Sequence, residues 1–123
     1  MNWSYIAGFF DGEGSLGLTN LGSNNCCFRV SMAQGTVPVL SKIQEFLAQE
    51  DIPCRIELNT NRFHMLTKKH KSVHQLRITV RKNVTKFCEL VLPYCVVKKA
   101  LVQDVGRFLK MYPPLNYKKH DLM

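Results

Sequence analysis

The sequence predicts an α+β fold in which helices cover one face of an antiparallel four-stranded sheet and leave the other face free for a ligand. Four segments alternate apolar and polar residues with the period of two typical of half-buried strands, and others place apolar residues at helical spacing. Their order is helix, hairpin, helix, hairpin, helix, helix, which favours helices on one side of the sheet. The length of 123 residues suits one domain. We expect it to span residues 1–112, with a short polar tail at 113–123.

The first helix is predicted over residues 3–11 and is unusual for its glycines. Gly8 and Gly12 lie four residues apart and therefore share one helix face, on which no side chain holds a neighbouring backbone away. Gly14 is expected to end the helix, because glycine is common just past a helix C-terminus. This helix is thus predicted to pack closely against another backbone.

Each predicted strand has one apolar face and one polar or basic face. A turn at residues 21–25 closes the first hairpin, and Gln34 ends the second strand. The apolar positions are Leu16 and Leu18, then Phe28, Val30 and Met32, then Cys54, Ile56 and Leu58, and finally Leu76, Ile78 and Val80. The opposite face carries Arg29, Ser31, Arg55, Glu57, Asn59, Gln75, Arg77 and Thr79.

The other helices are bounded by capping and helix-breaking residues. Thr36 is expected to cap the second helix, whose first turn tolerates Pro38. Asn83 is expected to cap the third helix, which ends before Pro93. The last helix is predicted over residues 96–111. Its apolar side consists of Val97, Ala100, Leu101, Val105 and Phe108.

The chain carries a formal net charge of +8, with 17 Lys and Arg against 9 Asp and Glu. Its 46% hydrophobic and 21% charged residues exclude a wholly disordered or fibrous chain. Residues 55–86 hold nine basic residues and one acidic residue, so the whole excess lies in one quarter of the sequence. A polyanion such as nucleic acid is therefore the first candidate partner, and a solvated surface loop is the alternative.

The cysteines and apolar runs indicate the compartment. The five cysteines form no CxxC pair and no signal peptide precedes them, which favours a reducing intracellular compartment: a mitochondrion, a chloroplast or a prokaryotic cytoplasm. His64, His70 and His74 have no cysteine pair at ligand spacing, which disfavours zinc. The apolar run at residues 3–10 is too short to span a bilayer, so no membrane association is expected.

Two carboxylates, Asp11 and Glu13, lie at the C-terminal end of the first helix, where they meet the negative end of its dipole. Carboxylate oxygens and free carbonyls at a helix end are hard ligands that suit Mg²⁺. Charge placement alone leaves a second interpretation open, in which one of these acids only caps a turn.

Residues 6–14 read Ile-Ala-Gly-Phe-Phe-Asp-Gly-Glu-Gly. This string resembles the LAGLIDADG motif of the homing endonucleases, since the glycines and the final acid match. The order of elements resembles the αββαββα core of that family, and Leu92 to Lys98 resembles the turn and lysine that follow the second unit in its single-motif members. The resemblance extends over roughly residues 3–110. It implies a sheet with helices on one face and DNA on the other.

The resemblance also implies roles for individual residues. Glu13 matches the motif's last acid, which binds the catalytic divalent metal with the Gly12 carbonyl as a neighbouring ligand; Mg²⁺ is expected, and Mn²⁺ as a substitute. Gln34 matches a polar residue that helps to position the active-site water. Lys98 matches a basic residue that stabilises charge on the scissile phosphate or tunes the water network. Asp11 matches the earlier acid, whose role is mainly structural.

Assembly and DNA contacts follow from the same resemblance. One motif per chain implies a homodimer with its interface at Ala7, Gly8, Asp11 and Gly12. The side chains expected to read bases are Arg29, Ser31, Arg55, Asn59, Gln75, Arg77 and Thr79, with Arg suited to guanine and Gln or Asn to adenine. Phosphate contacts are expected from Arg62, Lys68, Lys69, Lys71, Arg81 and Lys82. Pro38 departs from the family pattern, because some members have a basic residue there.

The implied function is site-specific endonuclease activity. Such an enzyme makes double-strand breaks in a long pseudo-palindromic DNA target by metal-dependent phosphodiester hydrolysis and promotes mobility of its host intron. Two alternatives of the same fold stay open. One is an RNA maturase that binds intron RNA and assists splicing, and the other is a noncatalytic DNA-binding regulator.

Overall fold

The computed structural model describes the backbone of residues 1–20, 26–64 and 69–111 and the side chains of residues 1–18, 28–58 and 73–111. The predicted turn at 21–25 and the tail at 113–123 lie outside these residues. The chain forms an α+β fold, as predicted. Its elements are α1 (Trp3–Glu13), β1 (Gly14–Asn20), β2 (Cys26–Gln34), α2 (Val37–Gln49), β3 (Arg55–His64), β4 (Lys69–Ile78), α3 (Arg81–Val91), a short 3₁₀ turn (Leu92–Tyr94) and α4 (Lys99–Met111).

The four strands form one antiparallel sheet in the order β1-β2-β4-β3. Cross-strand pairing aligns the apolar positions in two central rows, Leu16–Val30–Ile78 and Met32–Leu76–Ile56. These rows pack under the helices, whose buried side chains complete the core. The fully buried helix residues include Ile6, Phe10, Leu40, Ile43, Leu47, Val84, Phe87 and Val91.

Helix α1 is fixed at both ends by local contacts. Asn2 is its N-cap, and the side-chain oxygen of Asn2 accepts a hydrogen bond from the backbone N–H of Tyr5 at 2.8 Å. Gly14 is its C-cap, as predicted, and donates its N–H to the carbonyl of Phe10. A Cβ at Gly14 would overlap the Phe10 ring, so glycine lets β1 start directly against the helix it follows. The helix nevertheless extends two residues beyond the predicted end and includes Glu13.

Three positions predicted to face the core are exposed instead. Leu18 and Leu58 are 63% and 55% exposed because each lies one row outside the two central rows that the helices cover. Val80 is 54% exposed because β4 ends at Ile78 and Val80 precedes α3. The apolar face of the sheet is thus narrower than the strand alternation predicts.

The predicted cap of α3 was wrong. The carbonyl of Val80 already accepts hydrogen bonds from the N–H groups of Asn83 and Val84, both at 2.9 Å, so Val80 is the N-cap. Asn83 lies in the first turn and is buried. The other predicted cap, Thr36, does precede α2, although its side chain makes no capping hydrogen bond.

The start and buried face of α4 also differ from the prediction. The helix begins at Lys99, and Val96 and Val97 precede it with 80% and 76% of their surface exposed. Its buried side chains are Val102, Val105 and Leu109, whereas the predicted stripe included Ala100, Leu101 and Phe108, which are exposed. Among the described residues, no helix is long and apolar enough to cross a membrane.

Candidate active site

The last residue of α1, Glu13, is exposed at the end of the helix, directly after the exposed Gly12. The carboxylate of Glu13 and the carbonyl groups of the helix C-terminus are oxygen donors, and both types suit a hard divalent cation. The negative end of the helix dipole also favours a cation at this position. The chemistry of the donor set therefore fits Mg²⁺ or Mn²⁺.

Asp11 joins this end of α1 to the segment that precedes α4. Its Oδ2 accepts a hydrogen bond from the backbone N–H of Val96 at 2.8 Å, and its Oδ1 accepts one from the N–H of Lys98 at 2.9 Å. Asp11 is separated from these residues by more than 80 positions in the chain. The motif's earlier acid, two residues before the end of α1, therefore has a structural contact within its own chain.

Lys98 lies beside the same helix end. Its Nζ donates a hydrogen bond to the carbonyl oxygen of Asp11 at 2.7 Å and lies 5.7 Å from the centre of the Phe10 ring. Reciprocal contacts between Asp11 and Lys98 thus fix an ammonium group within one turn of Glu13. Of the three predicted catalytic residues, Lys98 is thus held at Asp11, two residues before Glu13 in the same helix.

The pairing of β1 with β2 places Gln34 near the end of α1. Gly14, which follows Glu13, pairs with Met32, so the end of β2 at Gln34 runs alongside the end of α1. The Oε1 of Gln34 accepts a hydrogen bond from the backbone N–H of Gly35 at 2.8 Å. Its carbonyl oxygen is therefore held by the local backbone, which leaves its NH₂ group as the donor toward a ligand.

Sequence reasoning missed a histidine at this position. His74 pairs with Gln34 across β2 and β4, and its buried Nδ1 has no hydrogen-bond partner among the described residues. The alternation of apolar and polar residues extends only over Gln75 to Val80, so the sequence alone does not place His74 in the strand. Only the strand register, in which β4 begins at Lys69, identifies it as a neighbour of the site.

The Asp11 carboxyl is stabilised in its ionised form. Burial raises its pKa, but hydrogen bonds from the N–H groups of Val96, Lys98 and Val97, together with the charge of Lys98, outweigh burial and bring the pKa below the ordinary 3.8. The stabilisation is therefore complete above the ordinary pKa and is lost as pH falls through the lowered value.

Asp11→Asn is expected to lower the free energy of unfolding by about 1–3 kcal/mol near neutral pH, because one amide oxygen cannot replace two carboxylate acceptors. Thermal or urea unfolding from pH 7 down to pH 2 checks this. The difference from wild type should begin to shrink below about pH 4, where the unfolded carboxyl becomes protonated, and should close as pH falls through the lowered pKa of the folded protein. Asp104→Asn, at an exposed position on α4, is the matched control. An equal loss in both variants, or a gap constant with pH, would contradict the assigned contact.

The exposed face of α1 contains the two motif glycines. A Cβ added at Gly8 or Gly12 would meet nothing within 4 Å, so both positions border open space within the chain. Tyr5 lies one turn earlier, is 47% exposed and stacks on Phe9 with ring centres 6.4 Å apart. Ala7, which was predicted to belong to this surface, is fully buried in the core, and that prediction was wrong. The carboxylate of Asp11, predicted for the same surface, contacts Val96 and Lys98 instead.

The face of the sheet opposite the core carries a network of charged and polar side chains. Glu57 accepts from both neighbouring arginines, with 2.6 Å between its Oε2 and Arg55 Nε and 3.2 Å between its Oε1 and Arg77 Nη1. Arg77 also donates to Gln75 Oε1 from Nη2 at 2.6 Å and from Nε at 3.1 Å. Glu57, which has no predicted role, thus links Arg55 and Arg77, and Arg77 in turn contacts Gln75.

The other residues predicted to contact DNA differ in exposure and in the element to which they belong. Ser31 is on the open face but only 7% exposed, and its Oγ lies 2.7 Å from Ser15 Oγ. Arg29 is half-buried, and its buried Nε has no partner among the described residues. Thr79 follows β4, and Lys82 is exposed in the first turn of α3. The side chains of Asn59, Arg62, Lys68, Lys69 and Lys71 lie outside the described residues.

Arg81 differs from its predicted role. Its Nη2 donates a hydrogen bond to the carbonyl oxygen of Leu109 at 3.0 Å, which ties the start of α3 to the end of α4. A guanidinium that satisfies a helix C-terminus in this way stabilises the helical layer. The predicted phosphate contact of Arg81 would have to be made by the N–H groups of its guanidinium that Leu109 does not accept.

The described cysteines are free thiols rather than disulfide partners. Burial raises the pKa of Cys54 to about 11, and burial is also the main cause that raises the pKa of Cys88 to about 12 and of Cys95 to about 11. A thiol with such a pKa is protonated near neutral pH and is a poor nucleophile. These three residues therefore do not compete with Glu13 and Lys98 as chemical groups.

No protein-family model matches the chain, and no curated protein matches it. Solved structures do match. The homing endonuclease I-CvuI in complex with its target superimposes with a TM-score of 0.70 at 16% identity, over 88% of this chain and 65% of that chain. The group I intron-encoded homing endonuclease I-CeuI complexed with DNA gives 0.64 at 20% identity, over 97% and 57%. The LAGLIDADG meganuclease I-CpaMI bound to uncleaved DNA gives 0.64 at 18% identity, over 89% and 38%.

The chain spans 65% of the length of the I-CvuI structure that it matches. In each comparison the match covers 88% or more of the present chain, so it includes the helical layer and the sheet together. The order of elements, the β1-β2-β4-β3 sheet and the position of the motif at the end of α1 agree with the predicted core. The protein therefore has the fold of the LAGLIDADG homing endonucleases.

Proposed function

We propose that this protein is a LAGLIDADG homing endonuclease that makes site-specific double-strand breaks in a long pseudo-palindromic DNA target. The observation that carries the proposal is the pair of contacts that fixes Lys98 to the end of α1, beside the exposed Glu13. A carboxylate at a helix C-terminus next to a held ammonium group is an arrangement suited to phosphodiester chemistry rather than to binding alone. I-CvuI and I-CeuI, which share the fold, were solved with DNA.

A divalent metal is part of the proposal. Glu13, with the Gly12 carbonyl beside it, would hold Mg²⁺, or Mn²⁺ in its place. Bound there, the metal supplies an activated water and neutralises charge on the phosphate. I-CvuI structures that share the fold were solved in the presence of Mg or Ca.

The chain's own residues then have separate tasks. Lys98 has two N–H groups beyond the one that Asp11 accepts, and these can donate to an oxygen of the scissile phosphate. The NH₂ group of Gln34 can donate a hydrogen bond to a water molecule in the active site, because the Oε1 of Gln34 is held by the N–H of Gly35. Asp11 positions Lys98 through the backbone and does not contact the phosphate.

Two copies of the chain are needed to complete the site. The described residues of one chain contain no cluster of three His, Cys, Asp or Glu side chains that could hold a metal ion. The face of α1 that carries Gly8 and Gly12 is called the glycine face. A twofold axis along this face would bring the Glu13 residues of two copies together, so that both DNA strands can be cut. The open space at Gly8 and Gly12 gives room for the second backbone.

A large side chain on the glycine face is expected to block assembly and leave the fold intact. The homodimer should have a mass of about 28 kDa by light scattering, twice the chain mass of 14.2 kDa. Gly8→Leu should shift the protein toward the monomer and reduce cleavage, because a Cβ at Gly8 meets nothing within 4 Å in its own chain but would meet the partner. Ala48→Leu, which places the same large side chain at an exposed small residue of α2, is the control. A Gly8→Leu variant that stays dimeric would contradict this interface.

The open face of the sheet is the proposed DNA surface. Its side chains Arg29, Arg55, Gln75 and Arg77 lie in adjacent rows across β2, β4 and β3, and such a ribbon fits the major groove. We propose that the break promotes mobility of a host intron. We further propose that the protein acts in a reducing intracellular compartment, in an organelle or in a prokaryotic cytoplasm.

Cleavage selection from a randomised duplex library tests the proposed function. The purified protein and Mg²⁺ are incubated with the library, and separately with the host intron RNA, and cut DNA ends are sequenced. Recovery of one long sequence family with near-twofold symmetry supports the endonuclease. Tight binding of the intron RNA without cutting of any DNA would contradict it and favour a maturase, and binding of DNA without cutting would favour a regulator.

A further inference from the structure

We propose that Gln75 and Arg77 read guanine as one donor-only unit, and that Gln75 is prevented from reading adenine. The inference rests on the proposed DNA-binding function and deepens it by naming a base. It starts from the two hydrogen bonds by which Arg77 Nε and Nη2 both donate to Gln75 Oε1, at 3.1 and 2.6 Å. A glutamine whose amide oxygen has no other partner is suited to adenine, because its amide offers one donor and one acceptor.

The chemistry of the pair determines which way the Gln75 amide faces. A guanidinium has five N–H donors and no acceptor, so the amide atom that it contacts must be the oxygen. The oxygen of Gln75 is then occupied by Arg77, and among the described residues no partner is found for its NH₂ group. Gln75 therefore presents donors outward and cannot accept a hydrogen bond from the N6 amino group of adenine.

The orientation of Arg77 is itself determined by Glu57. The Oε1 of Glu57 lies 3.2 Å from Arg77 Nη1, and its Oε2 lies 2.6 Å from Arg55 Nε. Glu57 also pairs with Gln75 directly across β3 and β4. Gln75 and Glu57 engage three N–H groups of Arg77, and within the described part of the chain one N–H on each terminal nitrogen has no partner. Glu57 is thus a positioning residue for the Arg77 guanidinium.

The exposed part of this unit therefore consists of N–H groups from Gln75 and Arg77. Ala33 pairs with Gln75 on the other side, and its small side chain leaves the row open to a ligand. In the major groove, guanine presents two acceptors, N7 and O6, whereas adenine presents an acceptor and a donor. A donor-only unit matches guanine and leaves the N6 amino group of adenine unpaired.

Base frequencies in a binding selection test this inference. Wild-type protein is selected against a randomised duplex library in EDTA, and the position that Gln75 reads is the one whose frequencies change in Gln75→Glu. We expect guanine there at about tenfold or more over adenine. Gln75→Lys, which also presents only donors, should keep the guanine, and Gln75→Glu, which has no donor, should lose it. Lys42→Met, at an exposed position of α2 outside the proposed DNA surface, should leave the frequencies unchanged.

Arg77→Met provides the decisive comparison, because it frees the oxygen of Gln75 without altering Gln75 itself. The preference at that position should change from guanine to adenine. Adenine selected by the wild type, or guanine retained in Arg77→Met, would overturn the inference while the protein still binds a defined site. A library in which no sequence is enriched by the wild type would instead overturn the proposed function.

Discussion

Replacement of Glu13 with Gln is expected to reduce DNA cleavage by a factor on the order of 10³ or more, while target binding changes little. The amide has the shape of the carboxylate but lacks the charge that binds a divalent cation. Glu13 is exposed at the last residue of α1, so its replacement should not disturb the core. Cleavage rates on a radiolabelled target, with a mobility-shift titration in parallel, measure the two effects separately.

Glu45→Gln is the matched control for this variant, because Glu45 is an exposed carboxylate on α2, away from the motif. It should cut at the wild-type rate. A Glu13→Gln variant with full activity would show that the cation is bound elsewhere, and loss of binding together with cleavage would assign Glu13 to the DNA contact instead.

Removal of the ammonium group in Lys98→Met is expected to lower the cleavage rate by roughly 10²-fold, with a small effect on affinity. The side chain of Lys98 contributes one hydrogen bond to Asp11, whereas its backbone N–H contributes the other and is retained in the variant. The connection between α1 and α4 should therefore survive. Single-turnover rates and unfolding midpoints distinguish chemistry from stability.

Lys99→Met serves as the control, since Lys99 is the next residue, carries the same charge and is exposed at the start of α4. It should cut nearly as fast as wild type. If both variants lost the same activity, Lys98 would act through general electrostatic attraction of DNA. A Lys98→Met variant that cuts normally but unfolds more easily would assign this lysine to the structure alone.

Much of the fold could be predicted because its signals are local. The alternation of Val30 and Met32, the helix stop at Gly14 and the order of elements require only neighbouring residues. Errors arose where a distant contact decided the outcome. Val97 was placed in a helix by its apolar pattern, but the segment before α4 is held by Asp11 of α1. Asn83 has a strong capping preference, yet the helix starts earlier, at the carbonyl of Val80.

For the candidate site too, local sequence signals predict some residues, and distant contacts determine others. The motif predicts Glu13 as a metal ligand, and Lys98 contacts the carbonyl of Asp11, two residues before it. Ala7 was misplaced because a small residue in a motif can face the core as well as a partner. Glu57 and His74 were missed because their neighbours are defined by the β3–β4 and β2–β4 registers. Strand alternation alone does not give those registers.

Cleavage of one recovered target duplex under metal exchange tests the central claim most directly. Wild-type protein should produce both broken strands with Mg²⁺ or Mn²⁺ and no product in EDTA, and Glu13→Gln should produce none under any of these conditions. Full-rate cleavage in EDTA, or by Glu13→Gln, would contradict a metal-dependent endonuclease with its site at the end of α1.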